Sequence, residues 1–200
     1  MGYFVSAHLM QHHPDSAGLS SALPSSVGFR AYRHANLPLF AIDTFRAAKP
    51  SRYPFSVATP ATDIPLEFPQ KLSGLQAIYQ QLHERGNANG LKRAYINLST
   101  LLASSLHQDV FTLYSDDDGN DFACFGNQDG ISTLVARCGE FVVRFDAEGD
   151  ATLNQVSEDN ELHALASGLL LKSFGISGKE IGLGSFDPPE NFGFVELPHA

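Results

Sequence analysis

Between Val110 and Val156 short apolar runs alternate with turns built on Asp, Asn and Gly: VFTLY, DFACF, ISTLVA, FVVRF and ATLNQV. Runs of four to eight residues rich in Phe, Val and Leu, separated by glycine-bearing turns, predict an antiparallel meander of about five strands over 110–156. Reading Cys138-Gly139 as a two-residue hairpin pairs Arg137 with Glu140 and Val135 with Val142. That register places Leu134, Ala136, Phe141, Val143 and Phe145 on one face, the expected core, and Thr133, Arg137, Glu140 and Arg144 on the other. A loop over 126–130 adds Phe122 and Cys124 to the core face.

Upstream the pattern changes twice. Strand-forming residues occur at 2–10, at Val27–His34 and at Leu39–Phe45, with a serine-rich stretch, 14–28, expected to be a loop. Prolines at 50, 54, 60, 65 and 69 predict an extended connector. Three- and four-residue spacing then takes over. Leu72, Leu75, Ile78, Tyr79 and Leu82 mark one helix, stopped at Gly86. Leu91, Tyr95, Leu98, Leu102 and Leu106 mark a second, capped by Asn87 or Asn89 and ending near His107. Beyond the meander, Leu162, Leu165, Leu169 and Leu170 predict a third helix over 158–174, ended by Gly175, and a last apolar piece lies at Phe192–Leu197. The expected fold is therefore one α+β domain spanning 1–200. Its strand- and loop-rich part (1–69) precedes the helix pair, meander, helix and tail (70–200), and three amphipathic helices pack on the sheet.

Charge narrows the partners. Thirteen basic against twenty-two acidic side chains give a net charge of −9, and the longest basic cluster is Lys92-Arg93, so nucleic-acid binding is not expected. A basic protein is the partner such a field would steer. No apolar run approaches the roughly 20 residues of a membrane span. Two cysteines, Cys124 and Cys138, do not make a secreted disulfide framework, and a cytoplasmic location is expected.

Chemistry is harder to find. The acidic turn Asp116-Asp117-Asp118-Gly119-Asn120-Asp121 invites calcium, but with Gly119 at the invariant glycine position Tyr114 and Phe125 fall where acidic ligands are required. The turn is read instead as a solvated tip, with Asp116, Asp117, Asp118 and Asp121 as the candidate partner-binding residues. His8, His12 and His13 have spacing that a helix would gather, yet Tyr3-Phe4-Val5 favours a strand there, so no metal is assigned. The GxSxG elbow, the phosphate loop and the dinucleotide fingerprint are all missing, and no catalytic residue or cofactor is expected.

Small acidic α+β proteins of this build include bacterial immunity and inhibitor proteins, a likeness of size and charge alone. The preferred expectation is thus a non-catalytic inhibitor, immunity-type or adaptor protein that recognises a basic protein. The competing one is a small hydrolase or ligand-binding enzyme whose His and Asp, with Cys138, converge only in three dimensions.

Overall fold

The computed structural model describes residues 4–14, 16–22, 29–43, 99, 102–116, 122–127, 130–138, 141–145, 151–155, 161–182 and 192–198. Among these residues nine strands form one sheet: β1 (Phe4–Met10), β2 (Arg30–His34), β3 (Phe40–Asp43), β4 (Val110–Asp116), β5 (Phe122–Asn127), β6 (Gly130–Cys138), β7 (Phe141–Phe145), β8 (Ala151–Gln155) and β9 (Phe194–Glu196). Their spatial order is β8-β7-β6-β5-β4-β1-β3-β2-β9, and every neighbouring pair is antiparallel. The predicted five-strand meander is β4 to β8. The N-terminal strands extend the same sheet: β1 lies between β4 and β3, and β2 accepts the apolar tail piece as β9. This is the α+β class expected from the pattern.

Two registers differ from the reading above. Cys138 pairs with Phe141 and Arg137 with Val142, so the two positions between the paired residues are 139 and 140, where the reading above has a loop at 138 and 139. Glycine can serve at either central position of such a loop, and sequence alone does not choose between them. The difference is two residues in the pairing sum, so strand parity is unchanged: Leu134, opposite Val143 in the expected register, falls opposite Phe145. Between β5 and β6 the ladder runs on to Asn127 and Gly130, and it skips Ser132 at a bulge beside Phe125 and Gly126.

Both faces of the sheet are covered. The helix α1 (Ser16–Ala22) lies where a loop was expected, and its Leu19 is buried with Met10, Ile42, Val110, Leu102 and Ala103. Leu102 and Ala103 belong to the helical residues 102–106, here α2; residue 99, also helical, precedes them. Residues 71–98, which hold the first predicted helix and most of the second, lie outside the described residues. His107 closes α2 with φ 51°, and the Gln108 amide donates to the Ala103 carbonyl, a left-handed cap that serves the final carbonyls.

The third helix, α3 (Glu161–Phe174), covers the other face, against Phe111, Leu113, Ala123, Val135 and Leu9. This corrects the face assignment, because Val135 shares its parity with Thr133 and Arg137, the face patterned as polar. Strands at the centre of a sheet covered on both sides lose the clean alternation that marks a half-buried sheet. Gly175 ends α3 as predicted, with φ 66° and its amide donating to the Leu171 carbonyl at 2.8 Å. Among the described residues no helix is long and apolar enough to cross a membrane.

Candidate functional site

The polar side chains buried most deeply converge at one seam between the sheet and the α1/α2 layer. Backbone pairing sets Ile42, His8, Thr112 and Cys124 side by side across β3, β1, β4 and β5. Directly opposed residues in an antiparallel ladder share a face, so the register alone brings an imidazole, a hydroxyl and a thiol together. Nδ1 of His8 and Oγ1 of Thr112 share a hydrogen bond of 2.8 Å. The Thr112 hydroxyl also bonds the Cys124 sulfur. Ser99 approaches the sulfur too, in a geometry that leaves its own hydroxyl without a full hydrogen bond. His8, Thr112, Cys124 and Ser99 are all fully buried.

Gly126 explains how Ser99 comes so near the sheet. A Cβ at this position would lie 2.9 Å from Ser99 Oγ and 3.2 Å from the Ser99 carbonyl oxygen. The hydroxyl could rotate away, but the carbonyl belongs to the helix backbone. Gly126→Ala is therefore expected to destabilise the protein by about 1–3 kcal/mol through overpacking. Adding Ser99→Ala should recover part of that loss and not all of it. A urea denaturation series of the two single variants and the double variant checks this coupling.

Burial decides what the cluster can do. It pushes the His8 imidazole down to about 3, since a charged ring would lose its hydration. It pushes the Cys124 thiol up to about 12, an effect the Ser99 and Thr112 hydroxyls offset only in part. A cysteine nucleophile requires the reverse: a thiolate beside an imidazolium, reachable by substrate. At neutral pH the seam holds a protonated thiol and a neutral ring, and neither attacks anything. Its visible work is to link β1, β4 and β5 inside the core through the His8–Thr112 and Thr112–Cys124 contacts.

The other residues singled out by sequence go elsewhere. Asp116 is the last residue of β4, at the backbone position opposite Phe4, while Asp117, Asp118 and Asp121 lie outside the described residues. His8, His12 and His13 do not converge. His8 is inside the sheet, whereas His12 and His13 are exposed beyond the end of β1, the His13 ring edge-on to Phe40. The His12 amide donates to Gln108 Oε1 at 3.0 Å, and Gln108 Nε2 returns a bond to the His12 carbonyl. Among the described residues no group of three or more His, Cys, Asp or Glu side chains could hold a metal ion. His34 Nδ1 accepts from the amides of Asn36 and Leu37, closing the turn between β2 and β3, and the ring packs edge-on against Phe194. Cys138 ends β6 opposite Phe141.

Among the described side chains the cysteine gathered with a histidine is Cys124; the sequence reading named Cys138, whose side chain lies outside them. Apolar alternation does put Cys124 on a buried face, but its meeting with His8 depends on pairing β1 with β4 across more than 100 residues. No local signal reports that pairing. No protein-family model matches the chain, and none of the curated proteins or solved structures matches it.

Proposed function

We propose that this chain is a non-catalytic binding protein, an inhibitor, immunity-type protein or adaptor, whose acidic turn at 116–121 engages a basic protein partner. The observation that carries the reading is the state of the seam. The one close His–Cys grouping among the described residues is sealed and uncharged, so it favours a structural role over a catalytic one. The net charge of −9 and four aspartates within six residues of sequence favour a cationic partner. The competing hydrolase reading draws on the meeting of an imidazole and a thiol. It would need both to change protonation state and to reach solvent.

Neutralising Asp117 and Asp118 together to Asn separates the two readings. Gly119 and Asn120 supply the turn chemistry without the carboxylates, so stability should change by no more than about 0.5 kcal/mol. Wild-type and doubly substituted baits are then compared in native-host extract at low and high salt. Basic polypeptides retained by the wild type at low salt, released by salt and lost with the double substitution are the expected result. Retention indifferent to both salt and substitution would remove the acidic turn from the binding surface.

A further inference from the structure

The tail strand β9 meets the sheet beside a histidine that also closes the turn between β2 and β3. We propose that His34 is an acid-sensitive pin for this strand: its neutral ring fastens β9 to β2, and protonation frees residues 192–198 and uncovers the β2 edge.

The pin depends on one ring nitrogen acting as an acceptor. Nδ1 of His34 accepts from the Asn36 amide at 3.1 Å and from the Leu37 amide at 3.0 Å. It therefore carries no proton, and the ring is the Nε2–H tautomer. The turn so closed holds the tail directly, because the Ala35 amide donates to the Gly193 carbonyl at 2.9 Å. The ring holds it a second time, edge-on to Phe194 with centroids 5.0 Å apart. Gly193 fits this approach: a Cβ there would lie 3.4 Å from Nε2, and its φ of 82° favours glycine. Imidazolium carries a proton on both nitrogens and accepts at neither. An Nδ1–H would face two amide N–H groups, so a protonated ring leaves its place whatever lies near Nε2. Both supports of β9 go with it.

What then holds the tail is small. Among the described residues β9 pairs with β2 at three positions, Tyr32–Glu196, Arg33–Val195 and His34–Phe194, and the Leu197 amide donates to the Ala31 carbonyl. So short a strand belongs to the low-stability end of a fold. The titratable side chains on the surrounding elements do not alter the requirement at Nδ1. On β2, Tyr32 is buried on the face of the ring and Arg33 is exposed on the other. On β9, Glu196 pairs with Arg30 at 3.6 Å. On β3, Asp43 lies at the far end, opposite Arg30, and the turn residues 35–38 carry no charge. In the segment 175–182, which meets the tail where Gly182 abuts Phe192, Lys179 is exposed and Glu180 accepts from the Ser177 amide.

Hydrogen exchange of the full chain, read by NMR and corrected for the intrinsic effect of pH, tests the pin. Between about pH 8 and pH 5 the amides of Ala35, Asn36, Leu37 and Leu197 should lose protection about tenfold or more. Those of β4 and β5 should stay the better protected. The ring signals of His34 report its own titration, and the loss of protection should share that midpoint. In His34→Asn a side-chain oxygen can take the place of Nδ1, as asparagine does in turns, and it does not titrate. Protection of the four amides should then no longer depend on pH. Wild-type protection that stays flat over this range, or a loss that persists in His34→Asn, would overturn the pin. Equal loss in β4 and β5 would mean global unfolding and no pin. Should His34→Asn not fold, or leave the tail loose at every pH, the wild-type midpoints decide. Protection lost where the ring does not titrate overturns the proposal, and a shared midpoint upholds it.

Discussion

Phe111→Ala should cost the protein about 3–5 kcal/mol of stability, the range for removing a buried aromatic from a core that cannot fully collapse. Phe111 has no exposed surface and sits on β4 between Leu9 of β1 and Phe125 of β5. The larger described core that holds it includes Leu169, Leu170 and Phe174 of α3, so the truncation leaves a cavity in the core on which α3 packs. Ordinary domains have about 5–15 kcal/mol in all, and a loss of this size would bring this one near half-unfolding in modest urea. Leu171→Ser makes the contrast. Leu171 is on the same helix but 53% exposed, and its replacement should stay within about 0.5 kcal/mol. Urea midpoints of the two variants measure both effects. A Phe111→Ala loss below about 1 kcal/mol would mean that α3 does not rest on this side chain.

Stability should also be bounded on both sides of neutrality, by two groups of the same seam. His8 has a folded-state value of about 3 against 6.5 for a free imidazole. The unfolded chain therefore binds the proton first as the pH drops, and stability is lost from about pH 6.5 downwards, levelling near pH 3. The full loss is about 5 kcal/mol, roughly two-thirds of it already spent by pH 4. Cys124 acts in the opposite sense. Its folded-state value of about 12 against 9.0 means that the unfolded chain gives up its proton first, so stability falls as the pH rises from about 9 to 12. That loss amounts to about 4 kcal/mol at the upper end. Chemical denaturation between pH 3 and 11 should thus show a plateau bounded by those two limbs. His8→Gln should flatten the acid limb and Cys124→Ala the alkaline one. An acid limb unchanged in His8→Gln would assign acid sensitivity to other groups.

Local pattern carried much of the architecture. The five meander strands, β1, β2, β3, the tail strand and α3 all lie where apolar runs and turn residues put them, because each is announced within its own ten or fifteen residues. Layering was less legible. Thr133 and Arg137 flank Val135 on one face of β6 as if that face met water, and nothing in that stretch says that α3 arrives from downstream to cover it. The helix α1 failed for a related reason. SAGLSSA has the composition of a loop, and the buried side chain of Leu19 anchors it. The polar seam was the least legible feature. His8 was noted for its spacing to His12 and His13, and its true neighbours come from β4 and β5 through a tertiary pairing. The candidate contact residues stand apart: the sequence singles out the acidic turn, and the described structure reaches it only at Asp116.

The place of β1 between β4 and β3 also dictates an order of assembly. Hairpins β4–β5, β5–β6, β6–β7 and β7–β8 join neighbours in sequence and can close as soon as each turn is made. β1 can pair with the β2–β3 hairpin early, but its other edge must wait for Val110–Asp116, a contact of far greater sequence separation. β2 waits longer still, since its outer edge is paired only by Phe194–Glu196. During synthesis the three N-terminal strands thus present an open β1 edge until just over half of the chain has been made. That makes it the stretch most in need of protection by a chaperone before the sheet is complete.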